Sequence, residues 1–123
     1  MAGFILINRE IMDHWVFRDP HKFKFWLTLL FLANFTDKTF NIGNKIIEIK
    51  RGSFITSIFN LSQITLKNNS TIRSWLRLLS SDNMIEIIST TKYTQITICN
   101  YEYWQSLQQT KRKQNANKLN TTK

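Results

Sequence analysis

The chain has 123 residues, of which 42% are hydrophobic and 13% aromatic, so it can bury one modest core and is not globally disordered. Seventeen Lys and Arg residues against eight Asp and Glu residues give a net charge of +9. This balance favours a polyanionic partner, nucleic acid above all, over the plainer interpretation that the lysines only maintain solubility. The longest apolar run, Phe25 to Ala33, is too short to span a bilayer; with one cysteine and no secretory signal, we expect a cytoplasmic protein without membrane partners.

The first predicted elements are short. Residues 3–7 (GFILI) have the composition of a short extended segment. Asn8 is a residue type that caps helices, and it precedes a helical turn predicted from Arg9 to Trp15. Asp19-Pro20 then interrupts the chain.

A buried helix and a short strand follow. The pattern KFKFWLTLLFLA, from Lys22 to Ala33, is apolar nearly all round, as in a helix that is buried on most sides. Residues Asn34 to Asn44 contain several turn formers and are predicted to be a loop. The β-branched run IIEIK, 46–50, predicts a strand. Lys50-Arg51-Gly52 then turns the chain into SFITS.

The next stretch predicts two helices joined by a tight turn. A helix starting at Ser57 leads into a connection of about four residues, 65–68, and then into a third helix. We expect Asn69 or Ser70 to cap that helix, which runs to about Ser81. A connection this short is what a helix-turn-helix needs to cross its helices at a steep angle.

The last predicted element is a β-hairpin. The runs MIEIIS, 84–89, and TQITIC, 94–99, alternate as strands do and are separated by residues 90–93. A short helical or extended piece, YEYWQSLQ, follows and is expected to pack back on the body. The order helix, strand, helix, turn, helix, hairpin predicts an α+β winged helix-turn-helix over residues 1–108. Residues 109–123 lack apolar content and predict a disordered basic tail.

No enzymatic or metal-binding pattern is found in the sequence. His14 and His21 have no cysteine or carboxylate cluster at metal-ligand spacing. Cys99 lies in a predicted strand and is expected to be a packed or partly exposed residue, not a nucleophile. Three glycines leave little material for a phosphate-binding loop, and no nucleotide-binding or hydrolase motif occurs. We expect a protein that is not an enzyme and takes no cofactor or metal.

The third predicted helix has one apolar and one basic face. Ile72, Trp75, Leu76 and Leu79 share the apolar face, and no acid occurs from Lys67 to Ser81. Solvated helix faces usually mix both charge signs, so this one favours DNA over a merely wet surface. Arg73 and Arg77 are the expected principal contacts, with Ser70 and Thr71 as phosphate ligands near the helix start. The full candidate set on this helix and its turn is Lys67, Asn69, Ser70, Thr71, Arg73, Ser74 and Arg77.

Two further sites are candidates for DNA contact. At the hairpin tip Lys92 is expected to contact phosphate, and Tyr93 can stack on a base if the target is single-stranded; a plain polar tip is the alternative. Lys50 and Arg51 form a second basic corner, for which phosphate contact and a solvated turn remain equal alternatives. Tail residues 109–123, with five cations and no acid, are expected to add salt-sensitive affinity.

Several stretches resemble a known family. GFILINREIMDHWVF, LLFLANF, EIKRGSFITS, LLSSDNMIEI and ITICNYEYWQ resemble the N-terminal winged-helix domain of phage replisome organisers and DnaD-like replication proteins of low-GC Gram-positive bacteria and their mobile elements. The resemblance covers residues 3–105. It implies DNA binding in replication initiation or primosome assembly, contact with other replication proteins, and self-association through the winged-helix domain. Where that family has WGWS before the recognition helix, this chain has TLKNNSTIRSW.

The leading hypothesis is therefore a small DNA-binding protein that acts in replication of a phage, plasmid or other mobile element, on single- or double-stranded DNA. A transcriptional regulator with the same fold is the first alternative. The second is a protein-interaction module that forms a homo-oligomer or partner complex through an aromatic N-terminal arm (Phe4, Trp15, Phe17) and Trp104.

Overall fold

The computed structural model describes residues 3–105 and shows an α+β fold with two small antiparallel sheets. A 3₁₀ turn, Arg9–Asp13, precedes five α-helices: α1 Trp15–Arg18, α2 Pro20–Leu32, α3 Ile58–Thr65, α4 Asn69–Ser81 and α5 Tyr101–Gln105. The five strands are β1 Lys38–Ile42, β2 Lys45–Ile49, β3 Ser53–Thr56, β4 Ile85–Ser89 and β5 Thr94–Ile98. Among the described helices, none has the length and apolar character needed to cross a membrane. The predicted basic tail, 109–123, lies outside the described residues.

The two sheets have different roles in the fold. Strands β1 and β2 form a separate hairpin, whereas the second sheet has the order β3-β5-β4. In that sheet β4 and β5 are also a hairpin, with Ile85 opposite Ile98 and Ser89 opposite Thr94. The middle strand, β5, carries the buried residue Ile96. Strand β3 pairs with β5, and α3 and α4 lie between these two strands in the chain.

Side-chain caps fix where the helices begin. The Asp19 carboxylate accepts hydrogen bonds from the backbone N–H groups of His21 and Lys22, and Pro20 occupies the first helical position, so α2 starts two residues before the predicted Lys22. Ser57 caps α3, as predicted. The predicted cap of α4, Asn69 or Ser70, is wrong by one position, because Asn68 is extended and its side chain accepts the N–H of Thr71 at 2.8 Å.

Two further predictions are corrected by the structure. Residues 34–44 do not form a loop throughout, because Lys38–Ile42 is strand β1. Gly43 and Asn44 both have positive φ and form the two-residue turn that pairs β1 with β2. The strand is exposed along most of its length, so the burial pattern that reveals a strand is missing. Cys99 lies one residue after β5 instead of within it.

The core anchors α4 by one face. Ile72, Leu76 and Leu79 of that helix are buried against Phe25 of α2 and Ile96 of β5, among other residues of one cluster. Each such side chain stabilises the fold by about 1.5–3 kcal/mol through burial, and truncating Leu76 to Ala should cost about 2–5 kcal/mol. Because this face is fixed inward, the opposite face of α4 points to solvent.

The N-terminal arm is held by α5. The backbone N–H of Leu6 donates to Oε1 of Gln105 at 2.8 Å, and Nε2 of Gln105 donates to the Leu6 carbonyl at 2.8 Å. The Tyr103 hydroxyl donates to the Glu10 carboxylate at 2.7 Å. The arm thus packs on the body without joining either sheet among the described residues.

Candidate nucleic-acid interface

Helices α3 and α4 are joined by a turn of Leu66, Lys67 and Asn68. The turn closes because Leu66 adopts a left-handed conformation (φ 60°) and its N–H donates to the Ser62 carbonyl at 2.9 Å. A non-glycine residue costs about 1–2 kcal/mol in this conformation, and the Leu66 side chain is 85% exposed, so it recovers little of that cost by packing. Despite this cost, the turn allows α4 to begin with only three residues between it and the end of α3.

The structure places most of the predicted α4 residues on its solvent-facing side. Thr71 is half-buried, whereas the others are exposed. These exposed residues are Asn69, Ser70, Arg73, Ser74 and Arg77.

A cleft of about 500 Å³ lies between α4 and the β4–β5 hairpin, and we call it the arginine cleft. Two of the predicted contacts, Arg73 and Arg77, form part of its wall. Within residues 3–105 neither guanidinium has an ion-pair partner. The lining residues include no acid and comprise Ile58, Arg73, Leu76, Arg77, Ser80, Ser81, Ile87, Ser89 and Thr94.

The acids nearest in sequence to the cleft are directed elsewhere. Asp82 follows α4, and its carboxylate accepts a hydrogen bond from the indole N–H of Trp15. Glu86 lies on β4 between Ile85, which is buried, and Ile87, which lines the cleft. Because successive strand residues point to opposite faces, Glu86 is on the other face of the sheet. The potential inside the cleft is therefore set by the two arginines.

The predicted basic corner is neutralised within the protein. Nζ of Lys50 lies 3.4 Å from a Glu48 carboxylate oxygen and 3.7 Å from one of Asp37, and the pairing with Glu48 raises the pKa of Lys50. Arg51 pairs with Glu102 and lies over the Tyr101 ring at 4.9 Å. Both cations thus have carboxylate partners, which makes them poor candidates for phosphate contact.

The remaining predicted contacts lie outside the arginine cleft. Nζ of Lys67 is 6.0 Å from the centre of the Trp75 ring, so this cation is directed towards the indole. Lys92, at the tip of the β4–β5 hairpin, lies against Gly43 in the turn of the β1–β2 hairpin. Tyr93 is half-buried. None of the three lines the arginine cleft.

Four hydroxyl residues of the cleft were missed by the sequence analysis as binding residues: Ser80, Ser81, Ser89 and Thr94. The first two follow the last predicted contact of α4 by three and four positions, which is the helical spacing that could have identified them. Ser89 and Thr94 belong to strands, and only the pairing of β4 with β5 brings them opposite each other.

The described residues offer no other recognisable reactive site. No group of three or more His, Cys, Asp and Glu side chains within residues 3–105 is arranged to hold a metal ion. Burial raises the pKa of the Cys99 thiol, and the nearby Glu86 carboxylate raises it further, so the reactive thiolate is disfavoured. No protein-family model, curated protein or solved structure matches this chain at a significant level.

Proposed function

We propose that this chain is a DNA-binding protein whose described residues form a winged helix-turn-helix. Helices α3 and α4 with their three-residue turn correspond to the helix-turn-helix, α4 to the recognition helix, and the β4–β5 hairpin to the wing. The sheet order β3-β5-β4, in which β3 pairs with the hairpin, supports this proposal. So does the cleft that the hairpin shares with Arg73 and Arg77 of α4. The β1–β2 hairpin is an addition to that scheme.

The arginine cleft is the observation that carries the proposal. Arg73 and Arg77 are exposed and without carboxylate partners in residues 3–105, on a helix whose other face is buried in the core. Guanidinium groups bind phosphate through paired hydrogen bonds and remain charged at all physiological pH values. An unpaired cationic surface on a fixed helix is what phosphate contact requires.

The process in which the protein acts is proposed from the resemblance to phage replisome organisers and DnaD-like proteins. On that basis the protein acts in replication of a phage, plasmid or other mobile element. A replication factor need show no discrete operator, whereas a transcriptional regulator with the same fold would protect a defined palindromic site. Footprinting on the promoters of the protein's own genetic element separates these two roles.

Fluorescence anisotropy with labelled DNA tests the binding proposal. The variant Arg73→Ala/Arg77→Ala should weaken DNA binding at least about tenfold, since a hydrogen bond to a charged group typically contributes about 1.5–3 kcal/mol. The matched control is Arg9→Ala/Arg18→Ala, which removes two exposed arginines outside the cleft. Equal affinities for the two double variants would refute the proposal.

Self-association is a second candidate function, supported by an exposed apolar surface. Phe4 is 73% exposed and Phe31 64% exposed, and both line a groove of about 570 Å³ between the arm and the end of α2. Of the residues predicted for this surface, Trp15 and Trp104 are half-buried, and Trp104 packs against Trp26. Sedimentation of wild type and Phe4→Ser/Phe31→Ser tests the candidate, which predicts an oligomer that dissociates in the variant.

A further inference from the structure

We propose that the arginine cleft binds single-stranded DNA by receiving an unstacked base between its arginines and its apolar floor. This inference rests on the proposed DNA-binding function and specifies its substrate. The floor is formed by Ile58, Leu76 and Ile87, the rim by two arginines and four hydroxyls.

The shape of the cleft favours a base over a phosphate alone. Phosphate is strongly hydrated and gains nothing from apolar side chains, whereas the face of a base is apolar and can lie on Ile58 or Ile87. Arginine guanidinium planes also stack on unpaired bases. The volume of the cleft, about 500 Å³, leaves room for one base. Bases within a duplex are stacked on their neighbours and cannot enter it.

The position of the charges on α4 points the same way. A helix that reads duplex DNA contacts base edges with its N-terminal residues. Here the first turn offers Asn69, Ser70 and Thr71, which can contact base edges or phosphates but supply no cation. The cations come later, at Arg73 and Arg77, where they line the wall that faces the wing. A positively charged groove whose guanidinium planes can stack on an unpaired base, beside apolar side chains, suits a single strand.

The hydroxyls supply hydrogen bonds for the edge of the base. Within the described residues, the side chains of Ser80 and Ser89 have no hydrogen-bond partner, and neither has that of Thr94. Ser81 donates to the Leu78 carbonyl at 2.9 Å and keeps its acceptor capacity. Hydroxyls both donate and accept, so these four residues suit any base and predict little sequence preference.

The side of the wing, and not its tip, borders the arginine cleft. Lys92 is the cation that a wing would place on the DNA backbone, but its ammonium lies against Gly43 of the other hairpin. The side of the wing, through Ser89 and Thr94, is what borders the arginine cleft. The wing therefore serves as one wall of a groove for a strand.

Fluorescence anisotropy on the full chain tests the inference with three probes of equal length: oligothymidine, an abasic strand with the same phosphates, and a duplex. A length of about 12 nucleotides is within the usual range of single-strand binding sites. Wild type should bind oligothymidine at least about threefold more tightly than the abasic strand, since a guanidinium stacked on one base contributes about that much. It should also bind oligothymidine more tightly than the duplex. Equal affinity for the oligothymidine and abasic strands, or tighter binding of the duplex, overturns the inference and leaves the DNA-binding function standing.

A cleft-filling variant supplies a second measurement. Ser89→Trp puts a large side chain into the cleft and leaves every charge in place, whereas Thr91→Trp adds the same side chain at the exposed tip, outside the cleft. Oligothymidine affinity should fall at least about threefold in the first variant, because the base contribution is lost, and stay unchanged in the second. Equal oligothymidine affinity in two folded variants overturns the inference. If none of the three probes binds wild type, or if Arg73→Ala/Arg77→Ala leaves every affinity unchanged, the proposed function itself fails.

Discussion

Trp15 donates its indole N–H to the Asp82 carboxylate at 2.9 Å, which joins the N-terminal arm to the residue that ends α4. His14 shares the same carboxylate oxygen through Nε2 at 3.1 Å. The backbone N–H of Asp82 bonds the Leu78 carbonyl and closes the last turn of the helix. Asp82 therefore ends the proposed recognition helix through its backbone and ties that end to His14 and Trp15 through its side chain, and it does not line the arginine cleft.

Replacing Asp82 should loosen this junction. We expect Asp82→Ala to lower the free energy of unfolding by about 1 kcal/mol, because the half-buried indole of Trp15 loses its acceptor. Asp82→Asn keeps an acceptor oxygen and should cost less. Urea unfolding followed by circular dichroism gives both values. An alanine variant as stable as wild type would mean that the junction contributes nothing.

Gly52 and Gly3 form a contrasting pair of glycines. Gly52 has φ of +87°, and a Cβ built there would lie 2.7 Å from Tyr101 side-chain atoms, whereas nothing lies within 4 Å of a Cβ on Gly3. Gly52→Ala should therefore destabilise the fold by about 1–3 kcal/mol, and Gly3→Ala should leave it unchanged. Thermal unfolding of both variants is the measurement; equal melting temperatures would contradict the tight packing of Tyr101 on this turn.

The cap of α2 should make stability depend on pH. The backbone N–H of Lys22, which donates to the Asp19 carboxylate, lowers the pKa of that group below its ordinary value of 3.8. A folded-state pKa below the unfolded one means that the stabilisation is complete above about pH 4 and is lost as pH falls through the folded value. Asp19→Asn keeps a capping oxygen but does not titrate. Urea midpoints measured from about pH 6 down to about pH 2 should fall more steeply for wild type than for Asp19→Asn. Parallel curves would contradict the effect.

Local patterns in the sequence predicted most of the elements. Burial sets the pattern of apolar residues in the buried helix α2, the amphipathic helix α4 and the alternating strands β4 and β5. The predicted bounds of these four elements agree with the observed ones within about two residues. Strand β1 was missed because its hairpin is exposed along most of its length. Its turn, Gly43-Asn44, was the remaining signal, since such pairs are typical of two-residue hairpin turns.

The candidate site was predicted only in part. The α4 residues share one helix, so their spacing alone predicts a common exposed face, and the structure confirms it for Arg73 and Arg77. The cleft requires the β4–β5 hairpin to lie beside α4, a tertiary relationship that spacing along the chain does not contain. For the same reason the sequence could not show that Arg51 is paired with Glu102, which lies 51 positions away.

The salt dependence of DNA binding tests the central claim most directly. Anisotropy titrations at several salt concentrations should compare wild type, Arg73→Ala/Arg77→Ala, and a full-length variant whose five tail cations are Gln: Lys111, Arg112, Lys113, Lys118 and Lys123. If the two arginines contact phosphates, the double variant should bind more weakly and its slope of log Kd against log salt should fall by about 1.4–1.8, the value for two released counterions. The tail variant should retain the arginine-dependent part of binding. A double variant with wild-type affinity and slope, together with loss of binding in the tail variant, would show that the cleft does not hold the DNA.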